Sequence, residues 1–157
     1  MPDFAFKKQN NIMTALMKHN DMPAELEILS KEVIDSAFCV HKELGPGLLE
    51  KLYEEALVFE FEDRKIPYVR QKSVRVPYRG KILSCECRID LLVADQIVVE
   101  LKTIDRIAPV HEAQIMTYMR LCNAPMGFIV NFNQALIKEG IKRIVMSNNL
   151  RNFAPSR

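Results

Sequence analysis

The chain has 157 residues, of which 48% are apolar and 27% charged, and this size and composition are typical of one globular domain with a buried core. No apolar run approaches the ~20 residues of a membrane span, and Met1-Pro2-Asp3 does not resemble a secretory signal, so we expect a cytoplasmic protein. The formal net charge of +2 excludes no class of partner by itself.

The first half of the chain is predicted to be helical after a weakly patterned start. Residues 1–22 are polar and rich in methionine, so we interpret them as an extension, partly helical or loosely ordered, before a single domain at 23–157. In AELEILSKEVIDSAFCVHKEL the apolar residues then recur at helical spacing: Leu26, Leu29, Val33, Ala37 and Val40. Glycine and proline in Gly45-Pro46-Gly47 end this helix, and LLEKLYEEALVFEFEDR predicts a second one.

After Pro67 the pattern changes to the alternation of β-strands. YVRQKSVRVPY and KILSCECRIDLLV predict a hairpin around Arg79-Gly80, and QIVVELK predicts a third strand. VHEAQIMTYMRLCN has helical spacing, MGFIVNF predicts a short buried strand, and GIKRIVMSNNL could add a last strand. The order ααβββαβ predicts a mixed α/β (α+β) domain whose central sheet is flanked by helices.

The four cysteines are scattered along the chain, at Cys39, Cys85, Cys87 and Cys122. The paired C-x2-C spacing of zinc sites is absent, and no spacing typical of an iron–sulfur cluster is present. We therefore expect buried, reduced thiols and no zinc or iron–sulfur site.

Charge is unevenly distributed along the chain. Twelve acids stand against three lysines between Asp21 and Asp63, whereas eight bases stand against Glu86 alone between Arg64 and Arg88. Such a basic segment suits a polyanion, and an ordinary solvated hairpin explains it equally well. Lys142 and Arg143 could also contact phosphates, or lie on a solvated edge strand.

Three charged residues, Asp90, Glu100 and Lys102, interrupt the apolar second and third strands. A period of two places Gln96, Val98, Glu100 and Lys102 on one face of the third strand, and Ile97, Val99 and Leu101 on the other. A two-residue turn would set Asp90 opposite Val99, whereas a three-residue turn centred on Asp95 sets Asp90 opposite Glu100. We predict the three-residue turn, which brings both carboxylates within reach of one ion.

Electrostatics indicate what such a cluster needs. Two carboxylates about 5 Å apart repel by roughly 3 kcal/mol at an effective dielectric constant near 20. Lys102 offsets part of this repulsion, and a divalent cation would offset more. A site built from oxygen donors favours Mg²⁺ or Mn²⁺ over Zn²⁺, and a lysine beside it can position water or stabilise charge on phosphate. The alternative is a structural cluster of acids and a lysine at the end of a sheet.

These residues resemble the core motif of the PD-(D/E)XK nuclease superfamily, with Asp90 followed after a short loop by Glu100-x-Lys102. Gln114-x-x-x-Tyr118 resembles the extra motif of its RecB-like branch, and Gly47-x-x-Glu50-x-x-Tyr53 resembles the signature of the small proteins named GxxExxY. Four further segments are similar to that family: ELGPGLLEKLY, VVELK, AQIMTYMRL and NFNQALIKEGIKRIV. The resemblance runs from about residue 34 to 146, and Ile89 stands where the superfamily name has proline.

The resemblance implies a restriction-endonuclease-like core and a Mg²⁺-dependent nuclease, with DNA a more favoured substrate than RNA and Mn²⁺ a substitute metal. It implies that Asp90 and Glu100 bind the metal with the Leu101 carbonyl, and that the helix acid Glu50 completes the metal site. Lys102 would serve the attacking water or the phosphate. Asp90, Glu100, Lys102 and Glu50 are thus the predicted catalytic residues.

The predicted nucleic-acid contacts are Gln114, Tyr118, Arg88, His111 and Tyr53. The first two follow from the resemblance. His111 shares their helical stripe, although a histidine there more often caps or packs, and Tyr53 shares a helix face with the helix acid. Arg88 lies two residues before the strand aspartate, on the same face by alternation. A phosphate or a carboxylate is expected between Arg88 and the strand lysine, because opposed like charges are costly.

Two other functions stay open from the sequence. One is a non-catalytic module on a nuclease scaffold that binds nucleic acid or a protein partner, and the other is a structural domain whose charges form an ion-pair network. Intact acids and lysine favour the nuclease, because a degenerate copy would be free to lose one. The acidic helical region favours a confined contact surface or a separate protein partner. Specificity could come from that partner or from a homodimer.

Overall fold

The structure is a computed structural model that describes residues 22–147, so the predicted extension at 1–22 lies outside the described residues except for Met22. The helices are α1 (Ala24–Leu44), α2 (Glu50–Asp63), α3 (Pro109–Cys122) and α4 (Ile137–Gly140). The strands are β1 (Tyr68–Tyr78), β2 (Lys81–Val93), β3 (Ile97–Lys102), β4 (Met126–Asn131) and β5 (Ile141–Val145). Each helix and strand predicted within this range is present, including the last strand, and the short α4 is an addition.

The five strands form one mixed sheet, in which they lie in chain order from β1 to β5. All neighbouring strands are antiparallel except β3 and β4, which run parallel and are connected through α3. Parallel neighbours require a crossover connection, and α3 supplies it across one face of the sheet. This arrangement confirms the predicted fold class and is consistent with a restriction-endonuclease-like core.

Helices cover both faces of the sheet and create two cores. The core beneath α1 and α2 includes Val33, Leu57, Phe61, Val99, Leu101 and Phe128. The core beneath α3 includes Val98, Ile115, Tyr118, Met119 and Ile129. Strand β3 alternates between the two cores as predicted, which directs Glu100 and Lys102 to the side of the sheet that α3 covers.

Glycine allows α3 to lie close to the sheet. A Cβ atom added to Gly127 in β4 would lie 2.7 Å from the Met119 sulfur and 2.9 Å from Cδ1 of Ile115. Both distances are shorter than van der Waals contact permits, so the Met119 and Ile115 side chains of α3 would have to move to admit a larger residue. The position of α3 matters because this helix carries Gln114 toward the charged residues of β3.

The connection between α1 and α2 determines where α2 begins. Gly45 has a φ of 64° and donates its N–H to the His41 carbonyl at 2.8 Å, which ends α1. Gly47 also has a positive φ, of 101°, a region that glycine enters at little cost. The chain reverses through these residues and starts α2 at Glu50, so that this acid occupies the first turn of the helix.

Two expectations from the sequence concern membrane-spanning segments and the burial of the cysteine thiols. Nowhere in residues 22–147 does a helix combine the length and the apolar character that crossing a membrane requires. The four cysteines are free, but Cys85 is exposed and the other three are only half-buried. The expectation of buried thiols is therefore wrong. Cys85 is exposed because the first part of β2 extends beyond the core.

Candidate active site

A three-residue turn centred on Asp95 joins β2 to β3. Val93 pairs with Ile97 across this turn, and the same register continues along both strands. The predicted register is therefore confirmed. Because side chains directly opposite each other lie on the same face, one further step places Asp90 across from Glu100.

Regular pairing between β2 and β3 stops at Asp90, where carboxylates take the place of backbone carbonyls. Asp90 Oδ2 accepts the Leu101 N–H at 2.8 Å. In the other direction, the Asp90 N–H donates to Glu100 Oε1 at 3.3 Å. Each carboxylate is therefore fixed by a main-chain amide of the opposite strand, and we call this interruption of the β2–β3 pairing the gap.

The alternation of β2 is interrupted at the same residue. Ile89 belongs to the core beneath α3, whereas Leu91, two residues later, belongs to the core beneath α1 and α2. Side chains two apart in a regular strand share a face, so the strand rotates at Asp90. The prediction that Arg88 lies beside Asp90 is therefore wrong. Within the described range, Arg88 is exposed and forms no hydrogen bond or ion pair with the acids or with Lys102.

Burial and mutual repulsion keep the acids of this site from ionising easily. Glu100 is 4% exposed, and burial followed by the negative charge of Asp90 raises its pKa to about 8. Burial also raises the pKa of Asp90, against the opposing effect of the hydrogen bond from Leu101. The pKa of Glu50 is raised by burial and then by the charge of Asp90. The three carboxyl groups therefore belong to one electrostatic site.

Lys102 is held in this site by the QxxxY residues of α3. Its Nζ donates to Gln114 Oε1 at 3.3 Å, and Gln114 Nε2 donates to the Tyr118 hydroxyl at 3.0 Å. Tyr118 is only 8% exposed, and burial raises its pKa. Gln114 and Tyr118 thus orient the lysine, while a direct contact of Tyr118 with nucleic acid is disfavoured by its burial.

The oxygen donors around the gap suit Mg²⁺ bound largely through water. Within residues 22–147, no three His, Cys, Asp or Glu side chains converge closely enough to hold a metal ion. The three predicted carboxylates, Asp90, Glu100 and Glu50, therefore do not form a complete set of metal ligands, although the charge of Asp90 reaches Glu50 and raises its pKa. Mg²⁺ commonly uses one or two carboxylates together with water and phosphate oxygens, so Asp90 and Glu100 still fit its requirements.

The Leu101 carbonyl also faces the gap. The Lys102 carbonyl accepts the Phe132 N–H at 2.9 Å and therefore points toward β4. Successive carbonyls of a strand point to opposite sides, so the Leu101 carbonyl points toward β2 together with its own N–H, which binds Asp90. This third oxygen could serve a cation held by Asp90 and Glu100.

Tyr53 stabilises the connection before α2 rather than facing a ligand. Its ring is fully buried and stacks on Phe132, with centroids 4.4 Å apart and an interplanar angle of 4°. Its hydroxyl donates to the Gly45 carbonyl and accepts the Leu48 N–H at 3.1 Å. The prediction of a nucleic-acid contact by Tyr53 is wrong because no face of the ring is accessible. The residue instead fixes the loop that precedes Glu50.

Removing this hydroxyl is expected to destabilise the protein. In Tyr53→Phe the ring stack is kept, but Gly45 and Leu48 lose a partner for a main-chain group, which should lower the free energy of unfolding by about 1–2 kcal/mol. Urea unfolding would measure the change. Tyr78→Phe is the matched control, because Tyr78 is 58% exposed and the same change there should cost less than about 0.5 kcal/mol. Equal costs at the two positions would contradict the anchoring function.

His111 caps α3. Its Nδ1 accepts the Ala108 N–H at 2.9 Å, so the ring satisfies a free amide at the start of the helix. The predicted contact of His111 with nucleic acid gains no support from this geometry. The structure shows the alternative role that the helical position of His111 also predicted, which is to cap the helix.

Two residues of the site were missed by the sequence interpretation. Glu54, only 6% exposed, accepts hydrogen bonds from Arg70 and from Gln71 Nε2, the latter at 2.7 Å. Gln71 Nε2 also lies 3.5 Å from Asp90 Oδ1. The signal that could have identified Glu54 is its spacing of four residues from Glu50, which puts both acids on one face of α2.

The basic hairpin formed by β1 and β2 retains several unpaired cations. Arg64, Arg70 and Arg75 pair with acids. Among the described residues, no ion pair involves the other five bases of this segment: Lys65, Lys72, Arg79, Lys81 and Arg88. The two tail bases are occupied, since Lys142 pairs with Glu112 and Arg143 with Glu27, which disfavours the phosphate contacts considered for them.

Comparisons with known proteins add a family relationship. The sequence model of the PD-(D/E)XK nuclease superfamily matches residues 27–144, which is most of the chain. No curated protein matches the chain. Among solved structures, the chain titled "Crystal structure of SSO0001" is similar at 15% sequence identity and a TM-score of 0.42, over 89% of this chain and 74% of that chain. A TM-score of 0.42 is too low to support an inference about fold or function.

Proposed function

The chain belongs to the PD-(D/E)XK nuclease superfamily, and on this premise we propose that it is a Mg²⁺-dependent nuclease that hydrolyses phosphodiester bonds of nucleic acid, DNA in preference to RNA. The observation that carries the proposal is the gap between β2 and β3, where Asp90 and Glu100 are fixed by main-chain amides. We further assign the chain to the GxxExxY group of the RecB-like branch, on the motifs at residues 47–53 and 114–118.

The metal would be held by Asp90 Oδ1, Glu100 and the Leu101 carbonyl, with Glu50 acting through a water molecule. The ion, when bound, supplies charge that polarises the phosphate and lowers the pKa of a coordinated water. Before binding, burial raises the pKa of Glu100 to about 8, so this carboxyl group holds a proton at neutral pH. Binding is therefore expected to release protons, because the ligands must be ionised.

Lys102 is proposed to act on the water or on the phosphate. Its ammonium group lies near all three acids, since its charge opposes the rise in the pKa of Glu50, Asp90 and Glu100. Gln114 accepts one hydrogen from Nζ and leaves others to donate to a phosphate oxygen or to orient the attacking water. Charge stabilisation of this kind acts strongly where water is partly excluded.

The unpaired cations of the hairpin provide a path for a polyanion to reach the site. Asp90 lies on β2, so the hairpin begins at the acids and extends away from them. Arg79 and Lys81 lie at its exposed turn, and no acid within residues 22–147 forms an ion pair with either residue. Lysines and arginines that make no internal ion pair can neutralise phosphates at no cost to the fold.

A second candidate function is the binding of nucleic acid without cleavage. The observation that favours it is that no three His, Cys, Asp or Glu side chains within residues 22–147 converge closely enough to hold a metal ion. The two candidates differ in one property. Both require affinity for nucleic acid, but only the nuclease requires a divalent cation for turnover.

A cleavage assay tests the proposal. We expect the wild-type protein to cut circular or linear DNA, and RNA less readily, in Mg²⁺ or Mn²⁺ but not in EDTA. Asp90→Asn should lower the rate by about 10²-fold or more, because it removes a charged ligand and leaves the shape of the side chain. The matched control is Asp95→Asn, the same substitution in the exposed turn, where φ is 55° and asparagine is readily accepted.

The outcomes separate the candidates. Cleavage by the wild type and by Asp95→Asn, with loss in Asp90→Asn, supports the nuclease. Binding of nucleic acid without cleavage in either metal supports the second candidate instead. Cleavage at equal rates by the wild type and Asp90→Asn would show that any activity arises elsewhere and would overturn the assignment of this site.

A further inference from the structure

Strand β1 contains an unusual backbone conformation beside the candidate active site. Gln71 has a φ of 49°, a left-handed value that residues other than glycine rarely adopt within a strand. Arg70 pairs with Leu91 and Lys72 with Ile89, but Gln71 itself is unpaired. The residue left opposite Gln71 in this register is Asp90. The kink in β1 and the rotation of β2 therefore occur at the same level of the sheet.

The kink allows two consecutive side chains to bind one carboxylate. In a regular strand, Arg70 and Gln71 would point to opposite faces. Here Arg70 Nε binds Glu54 Oε1 while Gln71 Nε2 donates to Glu54 Oε2 at 2.7 Å. Both oxygens of this buried acid are thus occupied by neighbouring residues of β1. Glu54 holds the kink from α2, and the kink in turn brings Gln71 toward the gap.

The amide of Gln71 connects Glu54 to the metal-binding acid. The same Nε2 atom that binds Glu54 lies 3.5 Å from Asp90 Oδ1, while Asp90 Oδ2 accepts the Leu101 N–H. Asp90 is therefore contacted on both oxygens, by the Gln71 amide from one neighbouring strand and by the Leu101 amide from the other. Two contacts on separate oxygens restrict rotation of the carboxylate about its Cβ–Cγ bond.

We propose that Glu54 and Gln71 are positioning residues, which orient the Asp90 carboxylate for metal binding by holding β1 in its kinked conformation. This inference rests on the function proposed for the site. Glu54 is not a metal ligand in this scheme, because Arg70 and Gln71 occupy its oxygens. Its position one helical turn after Glu50 makes α2 contribute to the site twice, once through each acid.

Two readouts that do not depend on cleavage test the proposal. The first is hydrogen exchange of the Leu101 amide in the metal-free protein, since this N–H donates to Asp90. The second is Mn²⁺ affinity by calorimetry. Gln71→Ala should accelerate exchange at Leu101 and weaken Mn²⁺ binding by about 10-fold, the effect typical of losing a group that orients a ligand. Its circular dichroism spectrum should match that of the wild type.

Glu55→Ala is the matched control. Glu55 neighbours Glu54 on α2 and also pairs with Arg70, at 3.8 Å, whereas the hydrogen bonds of the Gln71 side chain to described residues are with Glu54 and Asp90. This variant should leave Leu101 exchange and Mn²⁺ affinity within about 2-fold of the wild type, as expected for an exposed ion pair. A Glu55→Ala protein with the same losses as Gln71→Ala would mean that any weakening of the α2–β1 contact disturbs the site, and would overturn the proposal.

Gln71→Gly separates the side chain from the backbone. Glycine adopts the left-handed conformation freely, so this variant keeps the kink accessible while removing the amide. We expect the same loss as in Gln71→Ala, and wild-type affinity and exchange in both variants would overturn the role of Gln71. If the glycine variant behaves like the wild type while Gln71→Ala does not, the kinked backbone rather than the Gln71 amide orients Asp90. That result would overturn the role proposed for the Gln71 side chain.

Failure of the proposed function gives a different result from failure of this inference. A wild-type protein that binds Mn²⁺ but cuts nothing, with Gln71→Ala weaker in binding, would refute the nuclease and retain the positioning residues. If the wild type binds no Mn²⁺, exchange at Leu101 still decides. Faster exchange in Gln71→Ala supports the orientation of Asp90 by Gln71, and unchanged exchange refutes it.

Discussion

Replacing Lys102 with alanine is expected to lower the rate of metal-dependent cleavage by about 10²–10³-fold while leaving Mn²⁺ affinity unchanged or higher. The ammonium group lies close enough to Asp90 and Glu100 to oppose the rise in the pKa of each. Removing a positive charge beside two carboxylates strengthens their attraction for a cation. Loss of activity in this variant therefore belongs to the chemical step rather than to loss of the metal.

This combination distinguishes Lys102 from the acids, because Asp90→Asn should lose both metal binding and cleavage. Single-turnover rates at saturating Mn²⁺, together with calorimetric titration of the metal, measure the two quantities separately. Lys51→Ala is the control, since Lys51 is exposed on α2 next to Glu50 in sequence and forms no ion pair among the described residues. Wild-type cleavage by Lys102→Ala would show that the lysine has no catalytic role.

The pairing of the two strand acids could be predicted because it depends on local geometry. A strand has a side-chain period of two, so the parity of the turn alone decides whether Asp90 meets Glu100 or Val99. The three-residue turn centred on Asp95 was predicted because it places both carboxylates on one face of the sheet, and the pairing of Val93 with Ile97 has that parity. The order of the helices and strands was accessible for a similar reason, since each has its own apolar pattern.

The surroundings of the acids depend on contacts between distant segments and could not be predicted in this way. The left-handed conformation of Gln71 has no signature in its own residue type, and it is stabilised by Glu54, which lies on another element. The rotation of β2 at the same level of the sheet interrupts the alternation on which the position of Arg88 was based. Tyr53 was misassigned for a related reason. A motif shows that a tyrosine is required but does not show whether its hydroxyl faces solvent or the protein.

The metal-free protein is expected to become less stable as the pH rises from 6 to 8. Burial, then repulsion by Asp90, raises the pKa of Glu100 from 4.5 to about 8 in the folded state. At a pH between these two pKa values, Glu100 has lost its proton in the unfolded chain but keeps it in the native protein. The stability due to this group is therefore fully present below pH 4.5 and disappears as the pH passes through 8.

The size of the effect follows from a difference of one bound proton between the native and the unfolded state. Each unit between the two pKa values changes the free energy of unfolding by about 1.4 kcal/mol, so raising the pH from 6 to 8 should cost about 2–3 kcal/mol. The raised pKa values of Asp90 and Glu50 give a pH dependence of the same sign, each over its own titration range. This dependence is opposite to that of a carboxylate in an ion pair, whose stabilising effect is lost in acid.

Urea unfolding in EDTA at pH 6, 7 and 8 would measure this dependence. Glu100→Gln is the test variant. Glu43→Gln is the control, because it removes an exposed carboxylate of α1. Glu100→Gln should flatten the pH dependence and be more stable than the wild type at pH 8, while Glu43→Gln should follow the wild type. Mg²⁺ or Mn²⁺ should restore stability to the wild type at pH 8 but not to Glu100→Gln, because only ionised ligands bind the cation. If the wild type and Glu100→Gln instead show the same slope with pH, the strand glutamate is ionised in the folded protein and the site does not store the protons that metal binding would release.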